Sequence, residues 1–109
     1  MRTELSGTRY SKSSLLVCLF LALVSVSSYA ADTSKGAGFY STHCASCHGA
    51  SGVNVMPNAP NFAQGESMMQ PDASLLASIK AGKNAMPGYL GILSDRDIMD
   101  VIAFLRTLH

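Results

Sequence analysis

Residues 44–48 read Cys44-Ala45-Ser46-Cys47-His48, and this run decides the fold. Two thiols separated by two residues and followed at once by an imidazole suit covalent attachment of a haem. Each cysteine can add to one vinyl group, and the next residue can ligate the iron. One helical turn supplies the geometry, with both sulfurs on one side and the following side chain aimed at the ring centre. Three plainer readings fail. A structural zinc site needs four ligands, and the remaining cysteine, Cys18, stands in an N-terminal segment of different character. A thioredoxin-like redox pair needs a strand–turn–helix context, and no apolar strand run precedes Cys44. A disulfide across two residues closes almost no loop, so it adds little stability.

The N-terminal segment is a predicted secretory leader. Arg2, Arg9 and Lys12 form a positive start, and Leu15 to Val26 is apolar except for Ser25. Ser28-Tyr29-Ala30 then offers small residues at the −3 and −1 positions. The apolar stretch is about a dozen residues, short of the roughly 20 that span a bilayer. Residues 1–30 are therefore expected to be a signal peptide, and residues 31–109 a single domain with no stable membrane insertion. Cys18 is a poor lipidation site, because Val17 precedes it and apolar sequence continues beyond it.

From Ala31 onward the chain has five basic and six acidic side chains, one net negative charge. No basic run or stripe points to nucleic acid. A domain this small rarely gathers more than about 3–5 kcal/mol from its own core and needs a staple. Covalent haem is a suitable one.

The fold expected is all-α. Asp32, Thr33 and Ser34 are N-cap candidates for a first helix running to about Thr42. Gly36 and Gly38 inside it would each cost about 1 kcal/mol relative to Ala, which implies a close neighbour; the plainer reading is a frayed, exposed end. Past His48 the breakers Gly49, Gly52, Pro57 and Pro60 rule out a long helix. Pro71-Asp72 opens a second helix with Leu75, Leu76 and Ile79 on its apolar side and Gly82 as cap. Ser94-Asp95-Arg96-Asp97 caps the last helix, where Ile98, Val101, Ile102 and Leu105 follow the i, i+3, i+4, i+7 template. No strand is expected.

With the attachment motif, three helices and a Met-Pro loop in place, the chain resembles a small class I cytochrome c of the bacterial periplasmic type. The likeness spans nearly all of residues 34–108. It implies that the first and last helices cross through Gly36, Tyr40 and Phe104, with Phe104 meeting Gly36. It implies that Pro60, in Pro60-Asn61-Phe62, accepts the Nδ1 proton of His48 and strengthens that ligand. It also implies a sixth ligand from Asn84-Ala85-Met86-Pro87-Gly88, which resembles the family's ligand loop. Among the methionines, Met86 is the expected ligand and Met68 or Met69 the reserve. Met56 stands close to His48 in sequence, and Met99 falls within the last helix. Tyr89 is expected to contact the haem pocket, His43 and His109 to be solvated, and Lys83 to be a minor ligand at high pH. The connection from the motif to the methionine loop is short, and the lysine ring of mitochondrial relatives is absent.

Histidine plus methionine would fill both axial positions and raise the potential relative to harder ligands. No base, nucleophile or phosphate loop accompanies them. The expected function is that of a periplasmic mono-haem one-electron carrier between redox partner proteins, a monomer and not an enzyme. Two alternatives stay open: a gas- or peroxide-responsive haem protein with a displaceable methionine, and a dedicated haem subunit of a larger oxidoreductase. Docking is expected through the uncharged residues 85–90, with Lys80 and Lys83 as modest guides.

Overall fold

The computed structural model describes residues 29–109 together with Gly7, Ser11 and Lys12. The leader assigned to residues 1–30 therefore lies almost wholly outside the described residues. The first helix, α1, covers Thr33–His43 and starts at Asp32, whose carboxylate accepts the backbone N–H of Ser34 and Lys35. A single turn, α2 (Ala45–His48), follows directly and carries the Cys-x-x-Cys-His run. The breaker-rich stretch forms turns and one 3₁₀ turn at Phe62–Gln64. Then come α3 (Asp72–Ala81) and α4 (Asp95–Leu105). Two isolated single-pair bridges, Lys83 with Met86 and Leu90 with Leu93, stand in place of strands among the described residues.

The core lies where α1 crosses α4, with α3 packed on the other flank of α4. Ile98, Val101, Ile102 and Leu105 are all buried, so the periodic stripe of α4 is the inner face. Each such side chain contributes about 1.5–3 kcal/mol when fully withdrawn from water. Ser94 and Asp97 form a reciprocal capping box at the start of α4, satisfying two backbone N–H groups left over by the helix start.

Gly36 makes the crossing possible. A β-carbon there would collide with the backbone carbonyl of Asp100, so the two helix backbones touch where only glycine fits. The resemblance implied that Phe104 meets Gly36. The atoms nearest a β-position on that glycine belong to the Asp100–Val101 backbone, and the Phe104 ring packs on Tyr40, on the same helix as Gly36, 5.2 Å between centroids. Gly38 has nothing within 4 Å of its β-position. It is an exposed helix residue, and the close approach expected for both glycines holds for one.

Candidate functional site

The motif turn is held from below by its own backbone. His48 N–H donates to the Cys44 carbonyl at 3.0 Å, and Gly49 N–H to that of Ala45 at 2.9 Å. The chain then doubles back, and the Cys47 carbonyl accepts the N–H groups of Val55 and Met56 at 2.9 and 3.0 Å. The Tyr40 hydroxyl reaches from α1 to the Gly49 carbonyl at 2.6 Å. Both sulfurs and the imidazole are thus fixed against the helix crossing.

His48 is buried, at 7% exposure. Its ring stacks on Phe62 at 4.5 Å, and Nδ1 lies 3.3 Å from the Pro60 carbonyl oxygen. An oxygen accepts only, so Nδ1 carries the proton and Nε2 is left with its lone pair. Burial holds the imidazole below the usual histidine range, opposed by the Pro60 bond. At neutral pH the ring is neutral, the form that ligates a metal. Burial, then the neighbouring Cys47, pushes the Cys44 thiol up to about 11. A thiol that stays protonated is a poor redox or metal-binding thiolate. Among the described residues no three His, Cys, Asp or Glu side chains gather as a metal cluster.

In front of the motif lies a cavity of about 640 Å³, inside the range of roughly 300–1,000 Å³ for cofactor pockets. Cys44, Cys47 and His48 line one side, with Pro60 and Phe62 beside them; Leu75 and Ile79 of α3 and Val101 and Leu105 of α4 form apolar walls. Met86, Pro87 and Tyr89 come from the loop after α3. That loop is pinned by Tyr89 N–H to the Ile79 carbonyl at 3.0 Å and Leu90 N–H to that of Lys80 at 3.2 Å. Gly82, at φ +72°, lets the chain turn sharply, with no room for a β-carbon against Gly88. The residues therefore fit a haem: an apolar slot, two thiols and an imidazole on one wall, and a thioether on another.

Met86 lines this cavity, and Met56 lines it too. Met68 and Met69 do not. Met68 is a core side chain at 4% exposure, and Met69 stands in solvent at 96%. Neither lines the cavity where the reserve ligand would be needed. Met99 packs on the core edge. Tyr89 is buried, its hydroxyl donating to the His43 carbonyl at 2.8 Å and its ring edge-on to His43 at 5.7 Å. His43, expected in solvent, is half-buried and lines the cavity, because Tyr89 draws the end of α1 over the pocket. His109 is exposed as expected. Lys83 lines the cavity. Lys80 is not a free guide: it pairs with Asp95 at 2.7 Å.

Sequence reasoning missed Ser67, Gln70 and Ser78 as lining residues. Ser78 was within reach of it, since it neighbours Ile79 and lies three residues past Leu75 on α3. It also missed Arg106, whose guanidinium donates to the carbonyls of Met68 and Gln70 and to Asp72. That clamp ties the end of α4 to the segment leading into α3. Nothing local in the sequence marks it.

Comparison with known proteins is consistent with this geometry. Residues 31–105 match the family model described as cytochrome C oxidase, cbb3-type, subunit III. Cytochrome c6 of Thermostichus vulcanus is 34% identical over 84% of this chain and 82% of its own length. Cytochrome c6 of Parathermosynechococcus lividus is 36% identical over 69% of this chain and 88% of its own. The solved cytochrome c6 of the diatom Phaeodactylum tricornutum superposes with a TM-score of 0.57 at 30% identity, covering 70% of this chain and 92% of that one. Helix order, the Cys-x-x-Cys-His wall and these relatives agree, and the chain belongs to the small class I cytochromes c, electron-transfer proteins with one covalently bound haem c.

Proposed function

We propose that this cytochrome is an exported, monomeric one-electron carrier that works in the periplasm as a free shuttle. Residues 1–30 are its leader, removed after Ala30, and residues 31–109 its haem domain. The family match beginning at residue 31 supports that boundary. Among the described residues no helix is long and apolar enough to cross a membrane.

Cys44 and Cys47 would hold the haem covalently, and His48 and Met86 would ligate its iron. Bound there, the iron supplies a one-electron Fe(III)/Fe(II) couple whose potential a methionine ligand raises. The chain's own residues do the rest. Pro60 fixes the His48 tautomer and ring orientation. Phe62, Leu75, Val101 and Leu105 exclude water from the pocket. Tyr89 locks the methionine loop to the end of α1. The observation that carries this reading is the buried, neutral His48 facing a cavity that Met86 also lines. The relatives are matched over most of their length as small proteins, which favours the shuttle over the dedicated subunit. No observation favours a displaceable ligand.

Partners meet the rim around residues 85–90, where Ala85, Pro87 and Leu90 are exposed. With Lys80 paired to Asp95, charge contributes little to that encounter. The electron-transfer rate with the native partner should change no more than about tenfold between low and physiological salt. A fall of several decades would reveal charge steering. Attachment is tested by intact mass after acid–acetone treatment. A chain of residues 31–109 plus one haem is expected, and an extractable haem would refute the thioether reading.

A further inference from the structure

Two polar side chains are buried among the described residues, His48 and Asp100. The haem site uses His48; nothing in it uses Asp100. Asp100 is at 1% exposure in α4, at the crossing, and its Oδ1 accepts the backbone N–H of Asp32 at 2.8 Å. Its other donor is the Tyr29 hydroxyl, 3.3 Å from Oδ1 and 3.4 Å from Oδ2. Tyr29 in turn lies under the Arg96 guanidinium, 4.0 Å from its ring centroid. Among the described residues no Lys, Arg or His forms an ion pair with Asp100. The charged groups of this corner are Asp32 and Lys35 on α1 and Arg96 and Asp97 on α4, and Asp97 is committed to Ser94. A buried carboxylate wants a cation or several strong donors. Here it has one short bond and one long one shared between its two oxygens.

We propose that Asp100 is the receptor for the α-amino group that leader removal creates at Ala31. The proposal rests on cleavage after Ala30. Hydrolysis of the Ala30–Ala31 bond puts the oxygen of water on the Ala30 carbonyl carbon and releases the Ala31 nitrogen as an amine, protonated at neutral pH. The same cut removes Tyr29 and with it the long bond to Asp100. The new ammonium is one residue from the Asp32 N–H that already rests on Oδ1. One long bond from a neutral hydroxyl is exchanged for a shorter one in which donor and acceptor both carry charge. Processing thereby ties the start of α1 to α4 beside the Gly36 contact. The amine gains a partner on folding, so its folded pKa rises. The added stability is complete below the unfolded pKa, about 7.7–8.0, and disappears as pH rises through the folded value.

The test uses the holoprotein exported by its own leader. N-terminal sequencing comes first, followed by reductive ¹³C-methylation and an NMR titration of the Ala31 amine, in the native protein and in Asp100→Asn. The native amine should titrate at least about one unit above the ordinary 7.7–8.0, a tenfold shift in its protonation equilibrium, and Asp100→Asn should return it to that range. An ordinary value in the native protein, or the same raised value in both, overturns the assignment. If Asp100→Asn does not fold, the native chain with a free amine is compared with its Nα-acetylated form. The free amine should melt higher at pH 6 and equally well above the folded pKa; equal melting at pH 6 overturns the proposal. A mature chain starting elsewhere than Ala31 refutes the cleavage reading. An Ala31 start with an ordinary amine refutes the role of Asp100 alone.

Discussion

The crossing of α1 and α4 and the two loops that face the cavity are held together by different physics. At the crossing, side chains are buried in a regular stripe and two helix backbones touch at Gly36. In the loops at 49–61 and 82–93, few side chains are buried, and order comes from single hydrogen bonds such as Tyr89 N–H to Ile79 and Val55 N–H to Cys47. The crossing is a frame held by apolar packing. The loops carry Pro60 and Met86 and leave room for a large apolar body between them. A change in the frame should therefore threaten the whole fold, and a change in the loops mainly the iron.

The strongest test of that division is Gly36→Val. A branched side chain forced against the Asp100 carbonyl should destabilise by about 3 kcal/mol or more, comparable to the whole stability of so small a domain. Loss of folded holoprotein, followed by circular dichroism and yield, is expected. A normal melt would show that the helices can separate without harm.

The next contrast pairs two methionines. Met68→Ala removes a core side chain and should cost about 2–5 kcal/mol while leaving the ferric sulfur-to-iron charge-transfer band in place. Met86→Ala should do the reverse, abolishing the band, lowering the potential and opening the iron to carbon monoxide with a smaller loss of stability. Persistence of the band in Met86→Ala would pass the ligand role to Met56, the other methionine lining the cavity.

Tyr40 belongs to both regions, since its ring is core and its hydroxyl holds the Gly49 carbonyl after the motif. Tyr40→Phe should cost about 0.5–1.5 kcal/mol by removing that bond, since the Gly49 carbonyl keeps the Gly52 N–H at 3.1 Å, with the spectrum unchanged. Burial pushes the Tyr40 hydroxyl up to about 12, so this bond survives throughout the physiological range.

The smallest effect lies at the outer end of α4. Ser94→Ala should cost about 1 kcal/mol through loss of the cap. The Ser94 hydroxyl bond, with the Ser94 N–H, holds the exposed Asp97 carboxyl below the usual range. A carboxyl whose folded pKa is depressed adds stability above the unfolded pKa, about 3.9, and loses it as pH falls through the folded value. Thermal melts of the native protein and Ser94→Ala should therefore converge in acid. Parallel curves would deny the coupling.

Much of the frame was legible beforehand, because its causes are local. Asp32 and Ser94 cap helices by short-range hydrogen bonds, and Ile98, Val101, Ile102 and Leu105 repeat at the helical period. The five residues from Cys44 to His48 announced their chemistry by spacing alone. What could not be read depended on residues far apart in the chain. Periodicity cannot tell that Gly36 meets a backbone while Gly38 meets nothing, that Tyr89 reaches His43 across 46 positions, or that Lys80 is engaged by Asp95. The same limit applied to the methionines, which are alike in composition and were separated by where the fold put them: Met68 in the core, Met69 in water, Met56 and Met86 on the cavity. By itself the sequence determined the helices and the attachment motif, since each rests on neighbours within a turn or two, while the one-electron chemistry came from its resemblance to a known family. The tertiary structure decided which of those groups share a cavity and which buried charge, Asp100, waits at the crossing, because long-range packing selects among contacts that local sequence leaves equally open.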